Sequence, residues 1–230
     1  MAFGIVYLVY ALNAFVMTIV FVMLLRRYLA ERNKLTLLFS LVILSVTFMC
    51  YVFIGRGFFE ANDFGSIVFY KLYVIGTTPT AALLATFMLY PLIIQAGGFA
   101  KGKFLTIALV LVWILTIITP MFVIFGDVAF TYSELNVDIY SVSFGPLSYI
   151  AILASPLIIG VLDIFGFAAM AARETESFYR MRAILLMVGW TLSVIGIVIV
   201  LSPALLILNP ILFGAGAMTM AFGILRKPPS

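Results

Sequence analysis

Histidine is absent from the 230 residues and cysteine occurs once. Without imidazole the chain cannot supply the axial ligands of a b-type haem or the usual protein ligands of zinc and copper, so no metal site is expected. Cys50 has no partner for an intrachain disulfide and lies in an apolar run, where a small core residue is the plainest reading. Charge is scarce as well: 10% of residues are charged against 65% hydrophobic, and mean hydropathy is +1.27. A soluble catalytic domain does not have that composition, and the chain is not expected to be an enzyme. Linkers rich in Ser and Gly are missing, as is anything resembling a kinase, cyclase or transducer domain. Any signal would therefore have to leave through a separate chain.

What remains is a succession of long apolar runs. Seven are bounded by charge or turn residues, at about 4–25, 35–55, 67–94, 104–125, 147–171, 183–201 and 204–225. A helix satisfies its own backbone hydrogen bonds in lipid, and the runs lack the alternation of barrel strands. The expectation is an all-α membrane protein, a single seven-helix transmembrane domain over residues 1–230. The first run is long, has no basic leader and is followed by Arg26 and Arg27, so it reads as a retained helix rather than a secretory signal.

Lys and Arg in the connectors set the orientation. Arg26, Arg27, Arg32, Lys34, Lys101, Lys103, Arg173, Arg180, Arg182, Arg226 and Lys227 fall on one side, and only Arg56 and Lys71 on the other. That asymmetry places the amino terminus outside and the carboxyl terminus in the cytoplasm of a multi-pass plasma-membrane protein. The same clustering makes the net charge of +4 a topology signal, and no nucleic-acid partner is expected. Glu60, Asp63, Asp127, Glu134 and Asp138 lie on the outer side. The longest connector, Gly126 to Pro146 with Tyr132, Asn136 and Tyr140, reads as a solvated loop. Ser202 and Pro203 join the last two helices as antiparallel neighbours.

Inside the spans one ionisable residue stands out. Asp163 lies ~12 Å short of the inner end of the fifth helix, and burying a carboxylate there costs ~2.5–3.5 kcal/mol at least. It should face the bundle interior, either as a functional acid or as a carboxyl bonded to a neighbouring carbonyl or hydroxyl. Lys71 lies near an outer helix end, from which its stem can snorkel to the head groups. On the third helix Tyr73, Thr77, Thr80 and Leu84 share a face, and Thr77-Thr78-Pro79 reads as a kink braced by threonine hydroxyls. Gly214, Ala215, Gly216, Ala217 and Gly223 make a surface of small residues that permits close helix approach.

Several of these segments resemble the microbial rhodopsins, the bacteriorhodopsin family. Tyr70-Lys71-Leu72-Tyr73 through Thr77-Thr78-Pro79 and Leu83-Leu84 is similar to the family's third helix, and Phe48 with Tyr51 to its second. Val161-Leu162 with Phe165-Gly166-Phe167 resembles the end of its fifth, and Ala217 with Ile224-Leu225-Arg226 the end of its seventh. Trp190 falls where the sixth helix of the family packs a tryptophan on the chromophore. The resemblance implies a rhodopsin-like, amino-out plan and, since family members often form trimers, a homo-oligomer.

The departures bear on chemistry. By this alignment the retinal-bearing lysine falls on Met218, the two counterion carboxylates on Tyr73 and Gly214, the outer arginine on Tyr70 and the internal proton donor on Leu84. No lysine occurs on helices 5, 6 or 7, and a Schiff base needs an amine. A light-driven proton cycle is therefore not expected, nor any covalent cofactor. The leading expectation is a sensor or receptor-like module with a central ligand pocket of Tyr51, Tyr73, Thr77, Trp190 and Met218. It would hold a lipid, a carotenoid or a retinoid without a bond and signal to a membrane-protein partner through the cytoplasmic loops. The alternatives are a structural or accessory subunit with a filled pocket, and a passive channel or transporter using Asp163.

Overall fold

The structure, a computed structural model, describes residues 5–59, 63–126, 128–132, 140–144, 146–199 and 208–226. Among the described residues seven helices make up the bundle: α1 Ile5–Glu31, α2 Lys34–Arg56, α3 Phe64–Gln95, α4 Lys103–Phe125, α5 Pro146–Arg173, α6 Ser177–Ile199 and α7 Leu208–Leu225. Six of them, among the described residues, are long and apolar enough to cross a membrane. The outward surface fits that role, since α1 exposes Leu8, Leu12 and Phe15, and α4 exposes Ile107, Val110 and Ile117. Large apolar side chains in such numbers are stable facing acyl chains, not water.

One element departs from the expected loop. Between α4 and α5 the strands β1 Val128–Tyr132 and β2 Tyr140–Phe144 pair antiparallel, with Val128 opposite Phe144 and Tyr132 opposite Tyr140. Aromatic and β-branched residues at alternate positions favour that ladder, a short signal between two long helical runs. Glu60, Asp127, Glu134, Asn136 and Asp138 lie outside the described residues, as do Ser202, Pro203 and Lys227.

Helix ends extend past the apolar runs wherever charge can be held on the helix itself. α1 continues to Glu31 because the Arg27 Nε donates to both Glu31 carboxylate oxygens at 2.9 and 3.0 Å, one turn on. α6 starts at Ser177, well before the expected 183, since Arg180 and Arg182 leave their backbone helical and hold their charge at the boundary. The α1–α2 turn uses Arg32 at φ 53°, its N–H on the Tyr28 carbonyl, followed by Asn33, whose side chain accepts from the Leu35 N–H at 2.9 Å.

Cross-links give the helix directions. Tyr10 near the start of α1 meets Tyr73 near the start of α3 and Asn209 at the start of α7. Arg27 near the finish of α1 meets the last carbonyls of α7, and Phe87 and Phe167, both late in their helices, are 6.4 Å apart by ring centroids. Helices α1, α3, α5 and α7 thus run together from an entry end to an exit end, and α2, α4 and α6 return.

Two contacts set the spacing. On α3, Pro79 lacks the N–H that the Ile75 carbonyl would accept, and the Thr78 hydroxyl donates to that carbonyl at 3.0 Å instead. Thr80 adds a bond to the Gly76 carbonyl at 3.0 Å, and Ser45 of α2 reaches the same carbonyl at 3.2 Å, so the kink also ties α2 to α3. Between α6 and α7 the backbones themselves touch: a Cβ on Gly189 would lie 2.5 Å from the Gly216 carbonyl oxygen, and one on Gly216 would collide with the Gly189 carbonyl. Only glycine permits this approach. Gly189→Leu is expected to lower stability by roughly 1–3 kcal/mol through overpacking. The check is thermal unfolding in detergent, and an unchanged transition temperature would contradict the close contact.

Candidate functional site

The bundle interior holds two groups of polar side chains with opposite character. At the entry end every member is tied to a neighbour. The Tyr10 hydroxyl donates to Asn209 Oδ1 at 2.6 Å and lies 3.1 Å from the Tyr73 hydroxyl, while Asn209 Nδ2 donates to the Gly196 carbonyl of α6 at 2.8 Å. Asn13 Nδ2 donates to the Pro210 carbonyl at 2.7 Å, and the same amide fills the space beside Gly214. Aromatic rings pack around this network: Phe53 stacks on Tyr10 at 4.1 Å, and the Arg56 guanidinium lies 5.6 Å from both the Phe53 and Tyr70 ring centroids. Four helices, α1, α3, α6 and α7, are joined here by hydrogen bonds, and the aromatic rings add α2.

The second group lies at the seam of α5 and α6. Ile159, Asp163 and Phe167 recur every fourth residue and are fully buried, so Asp163 faces the interior as its cost in lipid requires. Trp190 on α6 is buried as well, and a Cβ on Gly160 would lie 3.7 Å from its Nε1. Gly160 therefore thins the α5 wall against the indole, and Asp163 follows one turn along, ~4.5 Å in rise. Neither Asp163 carboxyl oxygen nor the Trp190 Nε1 has a hydrogen-bond partner among the described residues. Buried polar groups are otherwise satisfied in about nine cases in ten, so two exceptions on helices that pack together, α5 and α6, mark a place. The carbonyl or hydroxyl partner anticipated for Asp163 is not found there.

The five residues expected to line a central pocket do not converge. On α2 the inward positions are Val46, Met49 and Cys50; Tyr51, one step round the helix, is 53% exposed, its hydroxyl 3.2 Å from Thr18 Oγ1 of α1. On α7 the inward positions are Phe213, Gly214, Ala217, Met220 and Ala221, and Met218, one step round the helix, is 43% exposed. The reason is register: at about 100° per residue an error of one position turns a side chain from core to lipid. Ala217 is the inward position at that level, and neither its methyl group nor the Met218 thioether is an amine. Tyr73 belongs to the entry-end network, Thr77 donates to the Val74 carbonyl at 2.6 Å, and Trp190 belongs to the α5–α6 seam. No hydrogen bond or ring contact joins Tyr73 to Trp190 among the described residues.

Lys71 donates to the Ile124 and Gly126 carbonyls at 2.9 and 2.8 Å, capping α4 where its last carbonyls lack helical partners. Tyr10, Asn13 and Asn209 were missed because each looks like an isolated polar residue in its own segment. Two amides and a hydroxyl inside apolar runs were the available signal.

Among the described residues no cluster of His, Cys, Asp or Glu could hold a metal ion. Comparison of the chain with protein-family models, curated proteins and solved structures finds no match.

Removing the Tyr10 hydroxyl leaves the Asn209 oxygen buried and unbonded. Tyr10→Phe is therefore expected to cost about 1–3 kcal/mol, read as a lower unfolding temperature in detergent micelles. A variant as stable as the parent would mean that the network does not hold α1, α3 and α7 together.

Proposed function

We propose that the chain is a rhodopsin-like, seven-span protein of the plasma membrane, amino terminus outside, that works without a covalent chromophore as a sensor or receptor-like module. The unsatisfied pair of Asp163 and Trp190 carries this reading. The indole N–H needs an acceptor and the carboxyl group accepts and, when protonated, donates. A single hydroxyl group between them serves both, which defines the guest as an apolar molecule with a hydroxyl head: a lipid, a retinoid or a hydroxylated carotenoid. Left alone in a low-dielectric interior, each orphaned group costs about 1–3 kcal/mol, and that is the free energy a guest recovers.

The resemblance of helix 3, helix 5 and helix 7 to microbial rhodopsins supports the plan but not its photochemistry, since an imine has no lysine on α5, α6 or α7 to form from. Signalling follows from position. Trp190 adjoins Gly189, whose backbone abuts α7 at Gly216, so a guest that moves the indole acts on a direct backbone contact between α6 and α7. A shift of α6 against α7 would reach a membrane partner through the cytoplasmic loops.

A second reading, an accessory subunit, is favoured by α4. Its buried residues are only Val112, Thr116, Thr119 and Val123, and the rest of the helix presents an apolar face that another membrane protein could cover.

The test is purification from the native membrane in mild detergent, with extraction, mass spectrometry and an absorption spectrum. The parent protein is expected to carry a hydroxyl-bearing guest, and Asp163→Asn and Trp190→Phe to retain about tenfold less, the loss of ~1.4 kcal/mol per contact. An empty parent together with a higher unfolding temperature in Asp163→Leu would sink the proposal, because replacing a buried polar group by an apolar one stabilises only a site that nothing fills.

A further inference from the structure

Three arginines from three helices gather at the exit end around the finish of α7. Arg27 of α1 donates from Nη1 to the Ile224 and Leu225 carbonyls at 2.8 and 3.3 Å. Arg226, the residue after α7, holds its guanidinium 5.8 Å from the Phe178 ring centroid of α6. Arg182, one turn beyond Phe178, is half-buried beside α7, where its backbone carbonyl lies 3.6 Å from a Cβ built on Gly223. The charges of Arg27 and Glu31, both on α1, act on it. Glu31 is already bound by the Arg27 Nε. Among the described residues the side chains of Arg182 and Arg226 donate no hydrogen bond.

Like charges crowded in this way repel unless an anion joins them, and planar guanidinium groups suit phosphate oxygens best. The surroundings point to the source of that phosphate. Met218, Phe222 and Arg226 follow one another at every fourth residue along the outward stripe of α7, and Met218 and Phe222 are exposed, as is Tyr179 beside Phe178. An apolar track thus runs along the helix and ends at the cations. Free phosphate would use the arginines alone, whereas a phospholipid uses both the arginines and the track. We propose that Arg182 and Arg226 bind the phosphodiester head group of an anionic phospholipid, with its acyl chains along Met218 and Phe222 and Arg27 adding positive field from its capping position.

The site is independent of the α5–α6 guest, and its test is different. The full chain is purified in mild detergent, incubated with phosphatidylglycerol or phosphatidylcholine, and weighed intact by native mass spectrometry. The parent is expected to retain phosphatidylglycerol over phosphatidylcholine. The double variant Arg182→Gln/Arg226→Gln should retain about tenfold less phosphatidylglycerol, ~1.4 kcal/mol, with phosphatidylcholine unaffected. Arg180→Gln, on an exposed arginine of the same helix, should behave as the parent does. Thermal unfolding of the parent supplies a readout that needs no variant: phosphatidylglycerol should raise the transition temperature and phosphatidylcholine should not. Equal retention by parent and double variant, equal retention of the two lipids, or displacement of phosphatidylglycerol by inorganic phosphate would each overturn the proposal.

Discussion

Lipid offers no hydrogen bonds, so each polar group carried into the bundle must find its partner within the chain, and most of the internal architecture follows from that demand. Helices meet it for the backbone. Where the backbone falls short, nearby side chains complete it: Thr78 serves the carbonyl that Pro79 frees, Lys71 the last carbonyls of α4, and Arg27 those of α7. Tyr10, Asn209 and Asn13 satisfy one another or a backbone carbonyl across helices distant in sequence. Against that background Asp163 and Trp190 stand out as the pair whose needs the described chain does not meet.

Helix α7 is held in three different ways along its length. Near its start, hydrogen bonds from Asn13, Tyr10 and Asn209 tie it to α1 and, through the Gly196 carbonyl, to α6. In the middle, Gly216 lies against the backbone of α6 at Gly189. At its finish, an arginine from α1 caps it. The middle contact tolerates no added volume and has no directional bond between the two helices, so it resists compression more than sliding. Trp190 lies next to it in sequence, which gives the α5–α6 seam a short mechanical route to α7.

Helix number and placement were legible because an apolar run of about 20 residues has few stable alternatives in this composition. Side-chain direction on α5 was legible too, since the price of a carboxylate in lipid leaves Asp163 only the interior. The small-residue face of α7 was visible from Gly214, Gly216 and Gly223, which all touch other helices. Tyr51 and Met218 were misplaced for one shared reason: an apolar run looks alike on all sides, so composition cannot distinguish a core position from a lipid-facing one a single residue away. The hairpin of β1 and β2 escaped because its alternation is short and lies between two much stronger helical signals.

The amino-acid sequence alone determined the solvent, the helical class, the charge asymmetry between the two ends and the want of an amine on the last three helices, since these depend on composition and on neighbours along the chain. The tertiary structure decided which polar residues meet. Tyr10 and Asn209 are 199 positions apart and bond at 2.6 Å, whereas Ala217 and Met218 are adjacent, one buried and the other exposed. Partnership of that kind is set by helix rotation and packing, and rotation is the quantity that a nearly uniform apolar sequence encodes least.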